Sequence, residues 1–320
     1  MERRWLGETE LAVSRIGLGL AALGRPAYID VGRDRDLGLA RSRAAMEART
    51  HDVLDAAYDV GVRYVDAARS YGDAEAFLGD WLAARDPDDL VVGSKWGYTY
   101  VGEWRSDTDV QEVKDLSVRT LRRQVAETRA SLGRRPTIYQ IHSATVESGV
   151  FEDGAVIDEL GRLREEGWVL GFTTTGPHQA DTIRRGLDVR VDGEPLFSTV
   201  QATWNVLEPS AGPALAEAHG DGRGVLIKEA MANGRLAADE GPVAELAARL
   251  RTTADRVAIA AALANPWADV VLSGAVTPDQ VRSNAAAVDL HLEGVELGEL
   301  GVLAQTAERY WAERAELPWA

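Results

Sequence analysis

Short, almost uniformly apolar runs alternate along this chain with longer stretches whose apolar positions recur at helical spacing. The runs 14–20, 63–68, 90–96, 138–143, 168–174, 198–204, 224–229 and 269–274 predict strands buried on both faces. The segments 44–60, 73–84, 110–132, 153–166, 178–186, 212–219, 242–264 and 278–288 predict amphipathic helices. In the first of these, Met46, Val53, Leu54, Ala57 and Tyr58 supply the apolar positions. Strand followed by helix, repeated, implies a parallel sheet. Eight such units with no compositional break favour a closed α/β barrel, the (β/α)8 TIM architecture, over a doubly wound sheet, and predict a single domain over 1–320. A small hairpin precedes the first core strand, and a C-terminal helix and tail follow the eighth unit. Residues 24–43 and the aromatic stretch around Tyr98, Tyr100 and Trp104 predict long loops.

Composition narrows the function classes. The formal charge is −16, which argues against a duplex nucleic-acid binder or a ligand for anionic membranes, both of which need a basic footprint. There are no cysteines, so disulfides and thiolate metal sites are excluded, and no metal site is expected. No apolar run is long enough to span a bilayer, and the N-terminus lacks a secretory h-region, so a soluble cytoplasmic protein is expected. Only three of the basic residues are lysines: Lys95, Lys114 and Lys228. Two of them end apolar strands, where a surface-charge explanation is weakest.

In a barrel of this kind the C-terminal strand ends and the loops after them build the site. Asp66, Lys95 and His142 end the second, third and fourth strands, and Tyr71 lies in the loop after the second, so all four can converge on one mouth. Reduction of a carbonyl needs a proton donor for the developing alkoxide, and free tyrosine is a weak acid near neutrality. A nearby ammonium would lower its pKa, while Asp66 would hold Lys95 charged and oriented. Asp, Tyr, Lys and His in this order, together with Ser-Tyr-Gly-x-x-Glu-x-x-Leu-Gly over 70–79, make the chain resemble the aldo-keto reductase family. The resemblance runs over nearly the whole chain. It implies Tyr71 as general acid or base, Lys95 and Asp66 as its tuning pair, His142 as the group that orients the carbonyl, and hydride from a nicotinamide cofactor.

The same resemblance implies a cofactor surface. Thr173 and Thr174 stand where the family commonly carries Ser-Asn toward the carboxamide, and Gln201 matches a glutamine facing the same amide. The loop from Lys228 through Met231 and Gly234 aligns with the family's pyrophosphate loop. Lys228 departs from the aromatic residue usually stacked on the nicotinamide; a cation there disfavours the oxidised ring, and Trp204 is a candidate for the stacking. Ser273, Gly274, Gln280 and Asn284 fall in the segment around the adenosine phosphate, with a helix N-terminus as an anion site. Family habit implies NADP(H). The absence of basic residues at Gly274, Val276 and Gln280, with Arg282 the one nearby cation, leaves NAD(H) as the alternative. Gly17-Leu-Gly-Leu20 is not a dinucleotide fingerprint, since it lacks the third glycine and the helix start.

On the substrate side, Tyr28, Trp96, Tyr98, Trp104 and Trp204 are expected near the mouth, with Trp96, Trp104 and Trp204 as the binding candidates for a small carbonyl or alcohol. Arg69 beside Tyr71 reads as a rim salt bridge. Two other functions fit the same fold: a nicotinamide-sensing binding protein, and a Schiff-base lyase using Lys95 or Lys228. Direction of turnover and oligomeric state stay open.

Overall fold

The computed structural model describes residues 1–29, 31–38, 40–133 and 136–319. Eight strands hydrogen-bond in parallel and close on themselves: Ile16–Gly19, Tyr64–Asp66, Val91–Trp96, Ile138–Ala144, Val169–Thr174, Thr199–Thr203, Gly224–Lys228 and Val270–Ser273. The eighth pairs with the first, setting Val271 opposite Ile16 and Ser273 opposite Leu18. This is the (β/α)8 barrel that the alternation predicts. Each strand carries a β-type alternation, so Tyr64, Val91, Ile138, Leu226, Val270 and Leu272 pack together inside the barrel, with Leu6 and Val13 of the N-terminal hairpin among them. That hairpin pairs Arg3–Trp5 with Ala12–Ser14. The alternate set, including Val65, Val92, Ile141, Phe172, Val200, Ile227 and Val271, joins the larger core that contains the buried faces of the surrounding helices.

Four departures from the sequence expectation matter for the site. The stretch 24–43 carries a short helix, Arg33–Leu37; Asp30 and Leu39 of that stretch lie outside the described residues. The helix expected from 110 begins at Val118, capped by Ser117, because Glu112–Lys114 pairs antiparallel with Tyr98–Tyr100 and turns the aromatic loop into a hairpin over the mouth. The helix expected over 242–264 is two, Pro242–Arg249 and Ala254–Leu263. Arg251 takes a left-handed conformation (φ 55) between them, and Thr252 N bonds back to Ala247 O. The C-terminal segment likewise holds two helices, Gly294–Gly301 and Ala307–Ala315, where one was expected. The second of them brings Trp311 and Arg314 against the barrel mouth. Among the described residues no helix is long and apolar enough to cross a membrane.

Candidate active site

A cavity of about 320 Å³ opens at the C-terminal ends of the strands. Asp66, Tyr71 and His142 line it, and Lys95 lies just beneath. Lys95 Nζ donates to Asp66 Oδ2, to Ala67 O at 2.9 Å and to Tyr71 Oη at 3.2 Å. The structure therefore brings all four residues of the expected tetrad to one point. Asp66 and Lys95 are both buried, an arrangement stable only when the charges are paired and hydrogen-bonded. Asp66 Oδ1 also accepts from Tyr64 Oη at 3.1 Å, Gln201 Nε2 at 3.1 Å and Gln140 Nε2 at 3.4 Å. Lys95 is thus held in place by its ion pair.

His142 reaches the mouth because the fourth strand is irregular between Ile141 and Ala144, with Ser143 in the left-handed region (φ 52). Its ring meets Tyr71 and Tyr98 edge-on, at centroid distances of 5.5 and 5.0 Å, and its Nδ1 lies 3.4 Å from Ser70 Oγ. Burial, and then the cations Lys95, Lys228, Arg25 and Lys114, hold its pKa well below the ordinary histidine value, so the imidazole is neutral. The Tyr71 phenol behaves differently from the expectation that Lys95 would acidify it. Burial and the Asp66 carboxylate push its pKa well up, and Arg25 pulls only partly against them. The neighbouring ammonium is already met by Asp66, so the phenol stays protonated. Burial lowers the pKa of Lys95 itself, against the pull of Asp66.

A second group of charges rings the mouth. Arg25, almost fully buried, donates to Glu112 at 2.8 Å and to Ser70 O at 2.9 Å, and lies over the rings of Tyr28, Tyr71 and Trp319. Arg314, from the last helix, grips Glu229 at 2.5–3.1 Å. Burial pushes the Glu229 carboxyl up, but Arg314 and Lys228 prevail and hold it down at about 2. Lys228 lines the same cavity and donates to Thr203 Oγ1 at 3.0 Å. Burial lowers its pKa to about 8, with Glu229 opposing and Arg314 and Lys95 adding to the fall.

The remaining expected residues divide. Met231, Gly234 and Gly274 line both this cavity and a neighbouring one of about 480 Å³, so the two form one trough; Ser273 lines the first and Gln280 and Asn284 the second. Gln201 lines the first but spends its amide on Asp66. Thr173 and Thr174 are fully buried: Thr173 Oγ1 accepts from Ser143 N at 2.7 Å, and Thr174 Oγ1 donates to Gln179. Of that segment it is Thr175 that faces the cavity. The three tryptophans expected to touch substrate lie outside the cavity lining. Trp96 is buried in the core because it alternates with inward-facing Lys95. Trp104 donates its indole N–H to Arg41 O at 2.8 Å, and Trp204 packs edge-on against Trp267. Arg69 forms the expected salt bridge, at 2.5 Å to Glu75 and 3.2 Å to Glu127. Sequence reasoning missed Arg25, Glu112, Ser143, Asn233, Arg314 and Trp319 as lining groups.

The trough suits a dinucleotide. A Cβ built on Gly274 meets nothing within 4 Å, Gly234 sits at φ 85 after Ala232 and Asn233 at φ 51 and 56, and the buried Asn233 Oδ1 has no partner among the described residues. Open space beside a glycine and a loop of left-handed residues make a cradle for a phosphate chain.

The family model described as the aldo/keto reductase family matches residues 15–301. Over 97% of this chain and all of its own length, the NADH-specific methylglyoxal reductase of Escherichia coli (strain K12) is 24% identical. The pyridoxal 4-dehydrogenase of Microbacterium luteolum is 27% identical over 88% of this chain and 92% of its own. Among solved structures, the holo form of an aldo-keto reductase from Bacillus halodurans superposes with a TM-score of 0.71 at 20% identity, covering 97% of this chain and 99% of that one.

Proposed function

The chain belongs to the aldo/keto reductase family and is an oxidoreductase acting on carbonyls, and on that footing we propose that it reduces a small aldehyde with Tyr71 as the proton donor. The observation that carries the reading is the Tyr71 phenol set beside the Lys95–Asp66 pair and His142 in one cavity. When bound, a nicotinamide supplies the hydride. Tyr71 Oη gives its proton to the oxygen that becomes the alkoxide, and the ammonium of Lys95, 3.2 Å away, stabilises the phenolate left behind. His142, neutral, donates an N–H to the same oxygen and fixes its position. Asp66 keeps Lys95 protonated in spite of its burial. In the reverse direction the same phenol returns as a base. Tyr28, Tyr98 and Trp319 wall the cavity and leave room for a small substrate beside the ring. The names of the two relatives, a methylglyoxal reductase and a pyridoxal dehydrogenase, support an aldehyde.

For the cofactor we favour NAD(H), reversing the preference for NADP(H) that the resemblance alone implies. The carboxylates Asp36, Asp239 and Asp255 line the second cavity, where they oppose an added phosphate and suit a ribose diol. Of its two cations, Arg33 is buried and donates to Ala22 O, Arg25 O and Pro26 O, while Arg35 lies 3.7 Å from Asp36. The relative named as NADH-specific supports this choice.

The test pairs binding with turnover. NADH and NADPH are titrated against tryptophan fluorescence, and Tyr71→Phe is assayed with methylglyoxal and pyridoxal. The expected result is tighter NADH binding, unchanged in the variant, with kcat lowered on the order of 10²- to 10⁴-fold. Undiminished turnover by Tyr71→Phe would remove Tyr71 from the chemistry.

A further inference from the structure

Four cations and three carboxylates surround the first cavity. Lys95 is paired with Asp66, Arg25 with Glu112 and Arg314 with Glu229. Lys228 is left over: among the described residues no carboxylate lies within salt-bridge distance, and its one hydrogen bond goes to the Thr203 hydroxyl. Glu229, next in sequence, faces Arg314 with both oxygens. The cavity of a strongly acidic protein therefore carries one uncompensated positive charge, and the fold fixes where.

Lys228 ends the seventh strand and Lys95 stands on the third, which lies four places away around the closed barrel, on the opposite wall. Hydride transfer requires the reacting carbons to lie within about 3.5 Å of each other. A carbonyl held at Tyr71 and His142 thus requires the redox ring in the space between the second to fourth strands and the wall that Gln201, Lys228 and Ser273 build. In a cavity of about 320 Å³ that places the ring beside the Lys228 ammonium. The two states of that ring differ by one unit of charge, being neutral when reduced and cationic when oxidised.

We propose that Lys228 makes this site discriminate between the redox states of its cofactor, holding the neutral reduced ring more tightly than the cationic oxidised one. The inference rests on the nicotinamide reading above and adds to it a preference between the two cofactor states: the uncompensated ammonium favours capture of NADH and speeds release of the spent NAD⁺. The diphosphate and adenosine are common to both forms, so their contacts cancel in the ratio of affinities. A like-charge contact in this partly screened setting is worth on the order of tenfold in that ratio.

The experiment measures dissociation constants of NAD⁺ and NADH, without turnover, for the wild type, Lys228→Met and Lys228→Arg. The methionine keeps the length of the side chain and removes its charge. It is expected to move the ratio about tenfold toward NAD⁺, with Lys228→Arg staying at the wild-type value. A pH series on the unmodified protein supplies a second arm. The charged groups facing Lys228 are Glu229, Arg314, Lys95 and Asp66, with His142 neutral; burial lowers the pKa of Lys228 to about 8 and that of Lys95 as well, and Lys228→Met removes the titration of Lys228 alone. Affinity for NAD⁺ is expected to rise relative to NADH from about pH 7 to about 9.5 in the wild type and to rise less in Lys228→Met. A ratio unchanged by Lys228→Met, with both nucleotides still bound, overturns the proposal and leaves the reductase reading standing. Failure of the wild type to bind either nucleotide overturns both.

Discussion

Gln201 reaches across the barrel to Asp66, its Nε2 donating to Oδ1 at 3.1 Å over a sequence separation of 135 residues. The family resemblance implies that this glutamine faces the cofactor amide; in the structure it lines the cavity, and its Nε2 is one of four groups that hold the buried carboxylate, with Tyr64, Gln140 and Lys95. The contact makes Gln201 a positioning residue: it fixes Asp66, which fixes Lys95, which fixes the Tyr71 hydroxyl. Gln201→Leu is expected to lower kcat about tenfold, the scale of one hydrogen bond to a charged group, with NADH affinity little changed. Stopped-flow turnover and fluorescence titration separate the two. Weakened NADH binding with kcat intact would instead return Gln201 to the carboxamide.

The barrel and the tetrad were legible because their signals are local. Runs such as Val91-Val-Gly-Ser-Lys-Trp96 are too apolar for a surface strand, and a lysine at the end of one has no cheap explanation. Trp96 was misjudged although the rule that places it is simple: with Lys95 facing inward, its neighbour faces the helices. The mouth itself was not legible. Arg25 meets Glu112 across 87 residues and Glu229 meets Arg314 across 85, and nothing near any of the four marks a partner that distant. The hairpin of Tyr98–Tyr100 with Glu112–Lys114 was hidden for a related reason: strands of three residues barely register as a pattern.

The Glu229–Arg314 pair should show itself as acid sensitivity. The folded-state pKa of Glu229 is depressed to about 2, below the unfolded value of about 4.3. Its contribution to stability is therefore fully present above the unfolded value and is lost as pH falls through about 2. Thermal melts of the wild type and Glu229→Gln from pH 7 to about pH 2.5 are expected to differ most near neutrality and to converge in acid. Arg314→Met, which strands a nearly buried carboxylate, is expected to cost about 3–5 kcal/mol at pH 7. Parallel melting curves at every pH would contradict the assignment.

Gln280 carries the adenosine end of the trough into the structure of the first loop. Its Nε2 donates to Asp36 Oδ2 at 2.7 Å and its Oε1 accepts from Val276 N at 2.9 Å. Asp36 is thus held at the second cavity by a neutral amide, with Arg35 its one salt-bridge partner among the described residues. Asp36→Ser is expected to improve NADPH binding about tenfold by removing a fixed negative charge near an added phosphate, and to leave NADH binding within about threefold. Raising the salt concentration should shrink the gain, since the carboxylate is partly exposed. An unaltered NADPH affinity would mean that Asp36 is not near that phosphate.

Gly93 offers a test of the polar layer beneath the tetrad. A Cβ added there would lie 2.3 Å from Tyr64 Oη and 3.4 Å from Asp66 Oδ1. The glycine is required because the phenol of the second strand crosses over the third to reach Asp66. Gly93→Ala is expected to displace Tyr64, cost about 1–3 kcal/mol in denaturant unfolding as overpacked cores do, and depress kcat through the disturbed carboxylate. Tyr64→Phe alone deletes one of four Asp66 contacts and is expected to cost about 1 kcal/mol. In the double variant the added methyl group meets a ring that lacks the hydroxyl, so the two effects should add to less than their sum, with a coupling of about 1 kcal/mol. Recovery of kcat in the double variant toward that of Tyr64→Phe would show that the harm of Gly93→Ala passes through the hydroxyl. Strict additivity would mean that the alanine acts on the strand itself, and Gly93 would then be a packing residue with no bearing on Asp66.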